Sequence, residues 1–534
     1  MVRLVAKTSQ REATGRHAFL VGAGILLSRL IGFVRQRIFS RYFGLSDAAD
    51  AFNAAFRIPN LLQNLFGEGV LSASFIPVYA KLLAEDEEEE SGRVAGAVAA
   101  ILALTTSVLV LLGVLFTPFV TDLVAAGFHG AKRELTIRLV RILFPGAGLL
   151  VLSAWCLGIL NSHRKFFLSY TAPVLWNLAM IVTLVAFRGE RESSLAVTLA
   201  WGSVLGSALQ FGIQLPVVLR LARHVRVRLE TRRPQVREVV RNFVPVFMSR
   251  GVVQISAYVD AWLASWLGMG AVAGLTNAQT LYTLPVSLFG MSVSAAELPA
   301  MSSALGDRQE VAGYLQRRLN SGLRRIAFFV VPSAMAFLAL GGVICSLLFE
   351  NGRFTHADSL YVWGIVAGSA VGLLASTMGR LYSSTYYALR DTRTPLRFAL
   401  VRVALTTALG YLCALPLPKW IGIDPRWGAA GLTASAGVAG WVEFTLLRRA
   451  LNRRIGTTGL PAPLVAKLWI SAAGAAAAAW ALKLAIGTRH PMVYGASVLC
   501  LYGVVYFGAT WLFRVEECAS VLSRLTRRFS ASNP

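Results

Sequence analysis

Residues 94–120 read VAGAVAAILALTTSVLVLLGVLFTPFV, an unbroken run without one charged side chain. A helix needs about 20 such residues to cross the ~30 Å hydrocarbon core of a bilayer. A helix apolar on every side belongs inside a large protein or a membrane, because it has no face to give to water. Comparable runs recur along the whole chain. Over 534 residues, 55% are hydrophobic, only 15% are charged, and the mean hydropathy is +0.59. Soluble domains carry about a quarter charged residues. About fourteen candidate spans follow, centred near residues 30, 63, 106, 148, 177, 207, 252, 288, 332, 373, 405, 437, 475 and 502. The expected fold is an all-α polytopic membrane protein.

The net charge of +25 would suit a nucleic-acid binder only if the cations shared one face or stripe of a soluble domain. Here they sit mostly in short connectors that alternate between Arg-rich and Arg-poor. About thirty Lys and Arg fall on one side and about nine on the other, the pattern of the positive-inside rule. Nucleic acid is not an expected partner. Both termini are expected in the cytoplasm, which an even number of spans satisfies. Arg3, Lys7, Arg11 and Arg16 precede the first apolar run; with no cleavage site after it, this reads as an uncleaved first helix. The acidic run Glu85-Asp86-Glu87-Glu88-Glu89-Glu90 reads as a solvated connector, since acids contribute little to topology. The five cysteines are scattered and the six histidines form no metal-ligand spacing. No nucleophile motif, Walker A loop or metal cluster is present, so no catalytic residue, metal or cofactor is expected. An ATP-driven pump is disfavoured.

The chain repeats weakly. Ser28-Arg29 has a counterpart in Ser249-Arg250, Pro59 in Pro285, Phe66-Gly67 in Phe289-Gly290, and Ile76-Pro77 in Leu298-Pro299. Each half would hold six helices, an even number, so the two run in the same topological sense. The expected organisation is 1–224 as a first lobe, 225–455 as a second, and 456–534 as helices thirteen and fourteen with a tail. Two parallel six-helix lobes around a central cavity form a transporter architecture. Asp47 to Lys81 would be about 50 Å long as one straight helix, with Pro59, Gly67, Gly69 and Pro77 offering places to bend it.

The chemistry lies in charges within apolar spans: Arg29, Arg35, Arg37 and Arg41, then Asp50, Arg57 and Glu68, then Arg141, Arg250 and Asp260, and in the second half Glu297, Arg380, Arg402 and Glu443. If helix one enters near His17, Arg29 lies about 18 Å along it. A guanidinium at that depth costs about 2.5–3.5 kcal/mol unless it meets water or a counter-charge. One reading is structural, with Arg29 paired to Asp50 or Glu68. The other is that surplus cations meet an anionic substrate, for which the planar Arg fork suits phosphate. Arg29 and Arg35 are six residues apart and would share a ligand only if the helix bends, for which Gly32 offers a place.

These residues resemble the MurJ (MviN) family of lipid II flippases, within the multidrug/oligosaccharidyl-lipid/polysaccharide exporter superfamily. The likeness is carried by Ser28-Arg29-Leu30-Ile31-Gly32-Phe33-Val34-Arg35, Ala49-Asp50-Ala51-Phe52, Arg57-Ile58-Pro59-Asn60-Leu61-Leu62 and Phe66-Gly67-Glu68-Gly69. Phe75-Ile76-Pro77, Leu284-Pro285, Asn351-Gly352-Arg353-Phe354 and Asp391-Thr392-Arg393-Thr394-Pro395 extend it over essentially the whole chain. The resemblance implies a multi-pass protein of the bacterial inner membrane, working by alternating access on undecaprenyl-diphosphate carrying the disaccharide-pentapeptide of peptidoglycan. Arg29, Arg35, Arg57, Asp50 and Glu68 are the substrate-binding residues that the resemblance implies, Arg250 is added to them as a candidate although the family does not usually carry an arginine there, and the last two helices would guide the polyprenyl tail. Lipid II, membrane lipids and, as a further class, cell-wall synthesis proteins are the implied partners.

The sequence departs from the family pattern at Gln63 and near Thr280, where an arginine is common; Arg250 is read as restoring that charge. Gly410 and Ala414 stand where some members hold sodium with Asn and Asp, which speaks against sodium coupling. Another polyprenyl-diphosphate glycan, of capsule or O-antigen type, is the alternative cargo. A membrane glycosyltransferase would need an acidic cluster in an outer loop, and these loops are short. A scaffold would not need Arg29 and Arg35 within the span.

Overall fold

A computed structural model describes Gly24 and residues 26–304, 307–486, 491–521 and 523, with Glu68 and Arg250 among the few described in backbone only. The basic segment with Arg3, Lys7, Arg11 and Arg16 lies outside the described residues, as does the tail beyond Ser523. Among the described residues there is no β-strand; an isolated bridge joins Asn351 to Phe354, with Gly352 at φ +61° between them. The Asn351-Gly352-Arg353-Phe354 motif is therefore a tight turn, and Gly352 is the residue that tolerates its left-handed backbone.

The chain divides into two compact units, ending and beginning at Trp266 and Leu267. The first contains helices α1 (26–43), α2 (Asp47–Phe66), α3 (Glu68–Ser74), α4 (Ile76–Ala84), α5 (Glu88–Leu115), α6 (Thr117–Val124), α7 (Gly130–Ser162), α8 (Phe166–Ala186), α9 (Glu192–Leu221) and α10 (Pro234–Ser265). The second contains α11 (Ala271–Pro285), a wide π-helical turn over Val286–Met291, α12 (Ser292–Ser302), α13 (Arg308–Ala339), α14 (Gly341–Phe349), α15 (His356–Ala388), α16 (Arg393–Ala414), α17 (Pro416–Trp420), α18 (Gly428–Ile455), α19 (Ala462–Ile486) and α20 (Pro491–Leu512).

Among the described residues, eleven helices are long and apolar enough to cross a membrane. The other three expected spans, at α1, at α2 to α4 and at α10, are helical but more polar or broken. They are the rods that carry Arg29, Arg35, Asp50, Arg57, Arg250 and Asp260. Two of the expected breaks are there, at Gly67 and beside Pro77, while Pro59 and Gly69 lie within helix. The rod from Asp47 is interrupted at Gly67 and again at Phe75, with Pro77 in the first turn of α4. Its counterpart in the second unit is interrupted after Pro285 by the π-helical turn.

The contacts group α10 with the first unit, whereas the sequence boundary at 224/225 assigns it to the second. Four contacts on α10 run antiparallel along α2: Tyr258 donates to the Arg57 carbonyl (2.7 Å), Asn64 donates to Gln254 (3.3 Å), Gly251 faces Leu65, and Phe247 packs on Phe66. The spacing 247, 251, 254, 258 is that of one helix face.

Between helices in lipid, close packing of small residues replaces the hydrophobic driving force. Gly364, Gly368 and Gly372 on α15 show this against Trp427 and α18. A Cβ on Gly372 would come 2.4 Å from the Gly437 Cα, and one on Gly368 would come 2.4 Å from the Ala430 carbonyl oxygen. In the first unit the extended segment after α9 lies on Gly92 and Gly96, where a Cβ would meet the backbones of His224 and Arg226. The acidic connector is not simply solvated: Arg233 holds Glu90 (2.6 Å) and also Glu230.

Helices α19 and α20 dock on α13 and α14. Pro332 within α13 has no N–H to give to the Phe328 carbonyl one turn back. The Tyr506 hydroxyl donates to that carbonyl instead, at 2.6 Å, and Tyr502 donates to the Pro332 carbonyl at 2.7 Å.

Candidate functional site

The first unit builds its polar interior from α1, α2, α7, α8 and α10. Helix α1 approaches α8 closely through glycine: a Cβ on Gly24 would meet the Tyr170 Cβ at 2.8 Å, and one on Gly32 would sit 3.6 Å from Asn177. That approach lays Arg35 on α8. Its Nη1 is 3.5 Å from the Met180 sulfur, and its guanidinium carbon lies 4.8 Å from the centre of the Trp176 ring.

Trp176 is itself fixed. Its indole N–H donates to the Ser203 carbonyl at 3.1 Å, and its ring packs on Phe56 of α2 at 5.6 Å. Phe56 then leads into a small cavity lined also by Pro59, Asn60, Gln63 and Ser207. A half-buried guanidinium thus rests on an aromatic face and a thioether, with no carboxylate partner among the described residues. A cation over an indole keeps its donors available to a further acceptor, because the ring contacts its π face and not its N–H edge.

Arg29 is exposed, and α1 remains helical through Gly32. Six residues of unbroken helix place Arg29 and Arg35 about 120° apart, so α1 does not turn both guanidiniums to one point. Arg57 is half-buried and faces α10, with the Asp260 carboxylate as its electrostatic partner. Asp50 is fully buried and pairs with Lys132 at the start of α7 (2.6 Å); Lys132 also reaches Asp47 (3.0 Å) and lies over the Phe128 ring. Asp50 therefore ties α2 to α7. The side chains of Glu68 and Arg250 lie outside the described residues. Gln63 lines the cavity, and the Thr280 hydroxyl is returned to its own helix at the Thr276 carbonyl.

In the second unit the carboxylates of Glu297 and Glu443 meet arginines, whereas Arg380 is exposed and makes no ion pair among the described residues. Glu297 is buried between Arg318 (3.2 Å) and Arg325 (3.5 Å), and Arg402 meets Glu443 at 3.3 Å.

Trp176, Tyr258 and Lys132 escaped the sequence reading. A tryptophan beside the polar Asn177 within an apolar span was the available signal for the first. Lys132, at the head of a helix, carries no signal in the sequence that separates it from an ordinary interfacial cation. Among the described residues no group of acids, histidines and cysteines could hold a metal ion, and the cysteines are free thiols.

A family model described as "Lipid II flippase MurJ" matches residues 39–503. The probable lipid II flippase MurJ of Rhizobium meliloti is 31% identical over 514 residues, 91% of this chain and 92% of its own length. Lipid II flippase MurJ of Burkholderia cenocepacia is 30% identical, over 93% of this chain and 97% of its own. A solved structure of lipid II flippase MurJ in an inward closed conformation superposes with a TM-score of 0.76 at 24% identity, covering 93% of this chain and 98% of that one. An inward-facing multidrug transporter of the MATE family gives 0.65 at 18% identity, over 81% and 96%, a likeness of fold. By the extent of that family match and the identity of these full-length relatives, the chain belongs to the MurJ family.

Proposed function

We propose that this chain moves lipid II, undecaprenyl-diphosphate bearing the disaccharide-pentapeptide of peptidoglycan, from the inner to the outer leaflet of the bacterial inner membrane. It does so by alternating access of two parallel halves, with no catalytic step and with both termini in the cytoplasm. Family membership supports the cargo. The observation that carries the site is Arg35, a guanidinium within the span that is held by Trp176 and Met180 and has no carboxylate partner among the described residues. Such a group suits an anion that arrives and leaves. Arg29 and Arg57 add positive charge, Arg250 supplies the charge that Gln63 does not, Asp50 fixes the helices that present it through Lys132, and Glu68 is the further acidic candidate of the site.

The test is complementation of a bacterium depleted of its own family member, with lipid II exposure at the outer leaflet as readout. At matched membrane levels, Arg35→Ala should abolish exposure and Arg35→Lys should restore only part of it, since an ammonium lacks the two-pronged donor geometry. Normal exposure by Arg35→Ala would remove the site. For orientation, single cysteines at 225–235 should label only from the cytoplasmic side; labelling of intact cells from outside would reverse the topology.

A further inference from the structure

Helix α7 carries four cations in its first turns: Lys132, Arg133, Arg138 and Arg141. Two are matched within the protein. Lys132 serves Asp47 and Asp50, and Arg133 clamps Asp122 with two hydrogen bonds, 2.6 and 2.8 Å. Arg138 and Arg141 are exposed and make no ion pair or hydrogen bond among the described residues. Both face one open groove of about 500 Å³, walled by Ile137 and Ile142 of α7 and Trp201 of α9, with Glu134 at its end.

The sequence fixes the depth of this groove. Ile142–Ser162 is uncharged and, as helix, about 31 Å long, matching the hydrocarbon thickness. Arg164 and Lys165 follow at its far end. Arg141 and Arg138 therefore sit at headgroup level, at the boundary of the span. The packing register agrees. Gly146 approaches Val204 and Ser207, and Ser153 meets Gln210 (3.0 Å) and Gln214 (2.7 Å), which sets Trp201 level with Arg141. Trp201 is 59% exposed, as expected of an indole in the interfacial belt. In the topology proposed above this is the outer face, where the positive-inside rule disfavours arginine, so two unmatched arginines there call for a ligand.

We propose that this groove binds a phosphatidylethanolamine molecule from the leaflet at the Gly130 end of α7. The charge order along the helix mirrors that lipid. Glu134 lies outermost, Arg138 about 6 Å deeper and Arg141 about 4.5 Å deeper again. A primary ammonium would meet Glu134, the phosphodiester would lie between the guanidiniums, and an acyl chain would run over Ile142 beside Trp201. Choline has no N–H to donate to Glu134, and glycerol offers hydroxyls but no positive charge to offset that carboxylate beside the phosphodiester.

Native mass spectrometry of the full chain in detergent, titrated with single phospholipids and no lipid II, tests this independently of the transport reading. Phosphatidylethanolamine should form a first adduct more tightly than phosphatidylcholine or phosphatidylglycerol. Arg138→Gln with Arg141→Gln should weaken it roughly tenfold, whereas Arg226→Gln with Arg228→Gln, the same charge change elsewhere, should not. Glu134→Gln should shift the preference toward phosphatidylglycerol. Unchanged binding by the Arg138/Arg141 variant, equal weakening by the control, or no preference among the lipids would each overturn the proposal. So would inorganic phosphate binding with no lipid adduct, which would mark a free-anion site. Should the double Gln variant unfold, Arg138→Lys with Arg141→Lys keeps the charge. It should retain the phosphatidylethanolamine preference with weaker binding, and loss of that preference would also count against the site.

Discussion

The carboxylate of Asp50, with no solvent exposure, lies 2.6 Å from the ammonium of Lys132, whose side chain is 13% exposed. The pair joins the first turn of α2 to the first turn of α7, with Asp47 as a second acid at 3.0 Å. Removing one partner of a buried pair strands the other charge, which costs about 3–5 kcal/mol, whereas neutralising both is far milder. Lys132→Met should therefore lower the thermal midpoint of the detergent-solubilised protein sharply. Adding Asp50→Asn should recover most of the loss. A midpoint that Asp50→Asn leaves unrecovered would show that Lys132 acts through packing alone.

Tyr506 replaces the N–H that Pro332 withholds from the Phe328 carbonyl. Tyr506→Phe should cost about 1 kcal/mol and loosen α19 and α20 from α13. Hydrogen exchange should quicken over the last two helices and leave α15 unchanged. With Pro332→Ala as background, which returns the N–H, the same Tyr506→Phe change should cost less.

The α15 seam predicts a contrast between two glycines of the same helix. A Cβ on Gly372 would strike the Gly437 backbone, whereas one on Gly379 would meet nothing within 4 Å. Gly372→Leu should destabilise by about 1–3 kcal/mol or more, because backbone cannot yield as a side chain does. Gly379→Leu should express and melt like the parent. Equal melting of the two variants would refute the seam.

Asp391 explains the Asp391-Thr392-Arg393-Thr394-Pro395 motif. It accepts from the backbone N–H groups of Arg393 (3.1 Å) and Thr394 (3.0 Å), from the Thr394 hydroxyl (2.7 Å), and from Arg454 (2.7 Å). Desolvation raises its pKa, but the Thr394 hydrogen bonds and Arg454 outweigh it and hold the carboxyl down to about 2. A depressed folded value means the stabilisation is complete above the unfolded carboxyl range, near 3.9. It is lost only as pH falls from there toward 2. Asp391→Asn should thus destabilise equally at pH 5 and pH 8, with the gap between variant and parent closing below about pH 4. A gap that changes between pH 5 and 8 would point to another titrating group.

The spans were legible because a lipid-crossing helix declares itself by length and lack of charge. The breaks of the rod from Asp47 declared themselves through Gly67 and Pro77, whereas Pro59 stays within continuous helix. Which helix face meets which neighbour was not legible. In a bilayer the lipid-facing side of α8 is as apolar as its packed side, so no periodicity singled out Trp176 as the seat for Arg35. The contacts of α10 were not legible for the same reason: its partners on α2, Asn64 and Phe66, pair by rotational setting that composition does not encode. Arg141 lies at the edge of its span rather than within it, because the uncharged run Ile142–Ser162 alone is about 31 Å long.

The wide turn at Val286–Met291 holds one residue more than the α-helical winding on either side of it. Side chains before Pro285 and after Ser292 are consequently out of phase by about 100°. Thr280 and Glu297 cannot be placed on one stripe by counting in steps of 3.6, and a helical wheel drawn through this rod mixes two different faces. A substitution scan along it should show two separate periodicities that change over within those six residues.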